Sequence, residues 1–313
     1  MLKFDANSVL AAAYGYTTCH LIATASKREL SEIPGFSEER VIALKKKAKT
    51  LDAKSGISFS TALELSLKPR IMITTGSSDL DKLLGGGIEL QTLTEVYGDS
   101  GTGKTQFCLT LCVTVQLALE DGGAAGRALF IDCNSTFRAD RLIQIAQAAG
   151  LGPEQCAANV AVVTVSSFDQ QGDALAQAGH VLADTSAGEF RLIIVDGLMT
   201  HLRAEYTGRG DLAARQQALN GFMRKLKLFS SAFNLAVVVT NQVSTTPEAF
   251  SNAGPVLKPI GGPVLAHNLP TKLARRRARG NTRKMIIEQA PHMARDECLV
   301  SISAAGIVNA IED

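Results

Sequence analysis

"GDSGTGKTQ", residues 98–106, has the spacing G-x-x-x-x-G-K-[ST]. An apolar run, "LTEVYG", precedes it, and a helical pattern over residues 106–119 follows. Strand, glycine-rich turn and helix are the context in which this spacing binds phosphate. Gly98, Gly101 and Gly103 let backbone N–H groups turn in around phosphate oxygens. The helix N-terminus adds a partial positive charge. Lys104 suits the β/γ oxygens, and the Thr105 hydroxyl suits Mg²⁺. Asp99, Ser100, Thr102 and Gln106 complete the cradle. The expected ligands are therefore ATP and Mg²⁺.

A P-loop needs a second carboxylate near the metal. "RLIIVDG", residues 191–197, ends an apolar run in Asp196, the expected partner of Thr105 on Mg²⁺. Asp132 ends another such run and is a weaker competitor. "VVVTNQ" ends a third in Asn241 and Gln242, polar groups suited to sensing the γ-phosphate. From residue 71 onward short β-rich runs alternate with longer helical patterns. "RALFIDC", "VAVVTV", "RLIIVDG" and "LAVVVTNQ" read as strands, with helices over residues 138–149, 172–182 and 213–229 between them. Continuous apolar strands with intervening helices predict an α/β fold with a mainly parallel sheet covered on both faces. No internal repeat is evident.

The rest of the chain sets the boundaries. With 313 residues, 46% apolar and 20% charged, a packed core is expected and global disorder is not. Trp is absent, so the core is built mainly from Leu, Val, Ile and Ala. The net charge of +2 points to no partner class. The six Cys lack C-x-x-C spacing and read as reduced, mostly buried thiols of an intracellular protein. No signal peptide or membrane span is expected.

Residues 1–50 read as a small all-α domain, with helices over 9–13, 19–25 and 39–48. "ELSEIPGFSEERVIAL" places Pro34-Gly35 between helical patterns, with Ser37 as N-cap. This is a helix-hairpin-helix pattern, suited to DNA phosphate or, equally, to a protein partner. Residues 51–70 read as a linker with an alternating stretch at 57–63. Residues 71–313 form the ATPase core.

Read together, "ITTGSSDLDKLLGGGIE", "GTGKTQ", "LIIVDGLM", "YTGRGDLAARQQ", "VTNQV", "KPIGG", "ARGNTR" and "ISAAGI" resemble the archaeal and eukaryotic RecA-like recombinases, the RadA-type DNA strand-exchange proteins. The likeness runs from about residue 8 to 311, in the family's order. "DKLLGGGIE", "TLCVT" and "ARQQ" resemble the meiotic branch more than the mitotic one. The resemblance implies a RecA-like P-loop ATPase core, assembly on single-stranded DNA, homology search and strand exchange with double-stranded DNA. It also implies a homo-oligomeric filament or ring, recombination mediators as partners, and a nuclear location. "FSTA" resembles the family's oligomerisation element, with Phe59 and Ala62 entering a neighbouring subunit. Arg141 matches the residue expected against adenine. "RAEYTGRGD", with Arg203, Arg209 and Gly210, resembles the first DNA-binding loop. "VSTTPEAFSNAGPVLK", with Phe250 and Lys258, resembles the second, a mobile stretch. "KLARRRARGNTRK" holds seven Lys or Arg and no acid. Its Arg276 and Arg279 are DNA-facing on one reading, and part of a solvated edge strand on the other.

The sequence departs from the family at chosen places. The family carries a water-activating Glu at the position of Asn134, within "IDCNSTFR". The run before "PIGG" keeps only Lys258, and the carboxylate expected beyond "TRKMII" is replaced around Glu288-Gln289. Pro270 and Arg275 interrupt a stretch that should read as strand. Slow hydrolysis is expected. A hydrolysis-impaired paralogue that binds ATP and stabilises filaments is the alternative reading.

Overall fold

The computed structural model describes residues 6–52, 59–251 and 254–311. The chain begins with α1 (Ala6–Ala13), α2 (Cys19–Thr24), α3 (Lys27–Ser31) and α4 (Glu38–Leu51). Each of the last three starts where a hydroxyl can take an orphan amide. Thr18, Ser26 and Ser37 accept from the third residue inward, and Glu29 closes a capping box on Ser26. The expected hairpin at Pro34-Gly35 lies between α3 and α4, and Gly35 takes φ +90°, a left-handed turn conformation that favours glycine.

These helices dock on the core. Leu21, Ile22, Leu30 and Val41 are fully buried in one cluster with Leu175, Phe222 and Leu226 of the core. Thr17 donates to the Gly179 carbonyl at 2.8 Å, Lys225 to the Tyr14 carbonyl at 2.7 Å, and Arg224 pairs with Glu29 at 3.2 Å.

The linker differs from its reading as an alternating stretch. Residues 59–61 have no regular structure, and α5 (Ala62–Leu67) follows, with a capping box from Thr61 and Glu64. Residues 53–58 lie outside the described residues. Phe59 is 98% exposed, and Leu63, Leu65 and Leu67 are also exposed.

Two short strands, β1 (Met72–Ile73) and β2 (Ile88–Glu89), pair antiparallel around α6 (Ser78–Leu83). The core then runs β3 (Leu93–Gly98), α7 (Lys104–Thr114), β4 (Arg127–Asp132), α8 (Ala139–Ala148), α9 (Pro153–Ala158), β5 (Val160–Thr164), α10 (Phe168–Ala183) and β6 (Phe190–Asp196). It continues with α11 (Thr200–Glu205), α12 (Leu212–Ala232), β7 (Ala236–Asn241), β8 (Val243–Ser251), β9 (Gly254–Pro259), α13 (Gly262–Asn268), β10 (Thr271–Arg277), β11 (Thr282–Gln289), β12 (Glu297–Ser303) and β13 (Gly306–Asn309).

Among the described residues the main sheet has nine strands, in the order β13-β12-β11-β10-β3-β7-β6-β4-β5. The pairs from β10 to β5 are parallel, and β11 to β13 extend the sheet antiparallel. Strand residues alternate between the two faces. Leu192 and Ile194 of β6 pack with α7 and α8, whereas Ile193 and Val195 pack with α10 and α12. Both faces are covered, which is why these strands read as unbroken apolar runs.

Three expectations are corrected here. Pro270 and Arg275 do not interrupt a strand: β10 begins after Pro270, and Arg275 sits inside it between two paired neighbours. The basic stretch is therefore interior to the sheet, not an edge. Residues 243–251 and 254–259 pair as an antiparallel ribbon, β8 against β9, where the sequence reads as a loop. The two residues at its tip lie outside the described residues.

Candidate functional site: a P-loop and the segments around it

Strand β3 lies between β7 and β10, and its last residue opens the loop to α7. A crevice beyond the carboxyl ends of parallel strands is where open α/β sheets bind ligands. Gly98 is required sterically: a Cβ there would lie 2.2 Å from the Arg275 carbonyl oxygen. Gly101 (φ +72°) and Gly103 (φ +90°) take the left-handed conformations that the turn needs. Thr102 fixes the loop by donating its hydroxyl to the Asp99 carbonyl at 2.9 Å.

Three arginines hold the loop from β10 and β11. Arg277 donates to the Ser100 carbonyl at 2.9 Å, Arg283 to Thr102 at 3.2 Å and Arg275 to Gly103 at 2.9 Å. Across a trans peptide the C=O and N–H point opposite ways. Binding these carbonyls on one side turns the following amides to the other, toward an anion.

Lys104 donates to the carbonyls of Gly98 at 2.8 Å and Asp99 at 2.9 Å. An ammonium has three donors, so one remains for phosphate. Burial lowers its pKa, with Arg275 adding to that and Asp196 opposing it.

Asp196, at the end of β6, is 1% exposed. It accepts from Thr105 at 2.6 Å and from Thr240 at 2.5 Å. Burial raises its pKa against both bonds, so a nearby cation would stabilise the carboxylate. The donor set fits Mg²⁺, which prefers one or two carboxylates plus phosphates and water. Among the described residues no cluster of three His, Cys, Asp or Glu offers a fuller cage.

Asp132 is engaged by the loop that follows it. Its carboxylate accepts the amides of Asn134 (3.1 Å), Thr136 (3.2 Å) and Phe137 (2.8 Å), and so shapes the loop after β4.

Asn134 projects from that loop. Its Nδ2 donates to the Asp196 carbonyl at 3.3 Å, and its Oδ1 accepts from the Thr200 hydroxyl at 2.8 Å. Gly197 (φ +99°) makes room: a Cβ there would lie 2.4 Å from Asn134 Nδ2. Thr200 opens α11, and Arg203, exposed on the same helix, donates to Gln242 Oε1 at 3.4 Å. One chain of contacts thus links the metal-side strand β6, α11 and the end of β7. Arg203 stands on a helix rather than in the expected loop, and a short 3₁₀ turn, Arg209–Asp211, follows with Gly210 exposed. The side chains of Arg209 and Phe250 lie outside the described residues. Lys258, Arg276 and Arg279 are exposed. Arg141 bonds Gln106 Oε1 at 2.7 Å and the Ala304 carbonyl at 2.8 Å, tying α8 to the β12–β13 turn.

Sequence reading missed Glu95. It is fully buried in β3, accepts from Asn241 Nδ2 at 2.7 Å, and its other oxygen has no partner. A lone acid inside an apolar strand was the available signal. Burial pushes its carboxyl up from 4.5 to about 7, against the Asn241 bond and the Lys272 charge. The folded state therefore holds a proton that the unfolded chain releases near pH 4.5. Its favourable contribution is complete below that pH and is lost as pH rises through about 7. Denaturant titration is expected to show stability falling by about 3 kcal/mol between about pH 5 and pH 8, and Glu95→Gln is expected to remove most of that fall.

The fold and loop define a RecA-like P-loop nucleotide-binding protein. The Rad51 family model matches residues 67–310, and the chain belongs to that family. It is 39% identical over 299 residues to the meiotic recombination protein DMC1 of Saccharomyces cerevisiae, covering 94% of this chain and 88% of the yeast protein. It is 39% identical over 296 residues to the DNA repair protein RAD51 homolog of Solanum lycopersicum, covering 94% and 85%. The DNA repair and recombination protein RadA of Metallosphaera sedula is 39% identical over 303 residues, covering 95% and 90%. No helix among the described residues is long and apolar enough to cross a membrane.

Proposed function

We propose that this chain is an ATP-dependent DNA strand-exchange protein of homologous recombination and repair, in the meiotic style of its yeast relative. The observation that carries the reading is the contact chain Asp196–Asn134–Thr200 and Arg203–Gln242, which joins the nucleotide side of the sheet to both DNA-facing segments. Nucleotide state and DNA grip then share one set of side chains.

Residues 98–106 and Arg141 bind the nucleotide. Lys104 and the loop amides neutralise phosphate charge. Thr105 and Asp196 would hold Mg²⁺, which would supply positive charge against the phosphates. Gln242 senses the nucleotide and passes its state to Arg203. Arg203, Arg209, Gly210, Phe250, Lys258, Arg276 and Arg279 face DNA. Phosphate contacts supply affinity without sequence preference, and binding weakens with salt. Asn134 orients water but takes no proton, so hydrolysis is slow and filaments are long-lived.

Phe59 and Ala62 dock into a second copy of this chain. Val162 on the sheet-edge strand β5 is 42% exposed, an edge that an extended segment can join. Recombination mediators act on the filament in the nucleus.

Sizing and electron microscopy with ATP, Mg²⁺ and single-stranded DNA test the assembly. Long filaments are expected, and Phe59→Ala is expected to leave monomers and short oligomers at the same concentration. Assembly unaffected by Phe59→Ala would remove this element from the account. Absence of DNA-dependent assembly would contradict the proposed function.

A further inference from the structure

Arg275 is among the largest fully buried side chains of the protein, at 1% exposed. It makes one hydrogen bond, from Nη1 to the Gly103 carbonyl, and its Nε and Nη2 have no partner. No carboxylate pairs with it among the described residues. The charge felt most strongly is another cation, Arg283, on the adjacent strand. Burial and that repulsion push its guanidinium down to about 9, still charged at neutral pH. A buried cation without a counter-ion is strongly unfavourable. Such a group persists where something else compensates it.

Arg275 Nη2 lies 3.2 Å from where a Gly103 Cβ would be, at the residue that caps α7 and precedes Lys104. Arg277 and Arg283 hold the carbonyls of Ser100 and Thr102 from the same side. The hairpin β10–β11 thus backs the phosphate cradle with three cations, and Arg275, whose charge is felt at Lys104, is sealed from water, where its field is least screened.

We propose that Arg275 is a positioning residue of the P-loop: a buried cation that fixes the Gly103 peptide and adds its charge to the cradle, so that a bound polyphosphate supplies the counter-charge this side chain lacks. The inference rests on the reading of residues 98–106 as the nucleotide site. The free protein is held in an electrostatically unfavourable state, which nucleotide binding relieves. The effect grows with ligand charge, greatest for ATP, smaller for ADP and absent for adenosine.

The test measures thermal stability and binding of MgATP, MgADP and adenosine for the full chain, Arg275→Leu, Arg275→Met and Lys104→Ala. Arg275→Leu is expected to leave the free protein as stable as the parent or more so. It is expected to weaken MgATP about tenfold, the scale of one charge-assisted interaction, and MgADP less. The melting shift produced by MgATP should shrink accordingly. Arg275→Met, longer and unbranched, is expected to behave alike and guards against a packing defect in the leucine variant. If both variants melt lower while ATP and ADP affinities keep their parental ratio, Arg275 only fills space and the proposal fails. Lys104→Ala separates the two readings. If it leaves MgATP binding intact, the nucleotide site itself is misplaced. If it weakens MgATP while both Arg275 variants do not, only the Arg275 proposal falls.

Discussion

Lys104→Ala is expected to weaken MgATP binding by roughly 10- to 100-fold and to abolish DNA-stimulated assembly. A charged donor to phosphate contributes about 1.5–3 kcal/mol, which sets that range. The substitution also frees the Gly98 and Asp99 carbonyls, which Lys104 now holds at 2.8 and 2.9 Å. The loop loses a strut as well as a charge, so the upper end of the range is expected. Isothermal titration with MgATP, at low and high salt, measures it. Far-ultraviolet spectra should match the parent, because the apolar core around α7 is built from Phe107, Leu109 and Leu111 and not from the lysine.

Asn134→Glu is expected to raise single-stranded-DNA-dependent ATP turnover by roughly 10²-fold or more, since a positioned general base contributes about 10²- to 10⁴-fold. The gain falls short of the upper figure for a geometric reason. Asn134 donates to the Asp196 carbonyl and accepts from Thr200. A carboxylate can accept from Thr200 but cannot donate to that carbonyl. Glu is also one methylene longer, in a corner where Gly197 leaves little space. Steady-state phosphate release with saturating DNA measures the change. An equal or lower rate in Asn134→Glu would mean that another group already activates the water. Faster turnover should also shorten filament lifetime, which dissociation after DNA competition reads independently.

Much of the core was legible because its physics is local. The residue 98–105 spacing encodes a turn that only glycines at Gly98, Gly101 and Gly103 satisfy, and Asp196 ends a run with one apolar residue after another. The N-cap Ser37 and the hairpin at Pro34-Gly35 also follow from short-range rules. What escaped depends on distant partners. Asp132 and Asp196 end similar strands, and nothing local says that one binds three loop amides while the other meets Thr105 and Thr240. Arg275 reads as a strand breaker because a buried charge is unfavourable; its reason lies 172 residues away, at Gly103. The ribbon of β8 and β9 carries Pro and Gly, which suggest irregular structure until the pairing of Val243 with Pro259 is seen. The antiparallel extension β11–β13 follows from strand order, which hydrophobic period does not encode.

The most direct measurement is joint-molecule formation between single-stranded DNA and homologous duplex, with ATP and Mg²⁺, against a heterologous duplex and a no-nucleotide control. The account predicts joint molecules that require ATP and homology, form even while hydrolysis is slow, and are lost in Lys104→Ala. Joint molecules that form without ATP or without homology, or none at all from protein that binds both ATP and DNA, would contradict it.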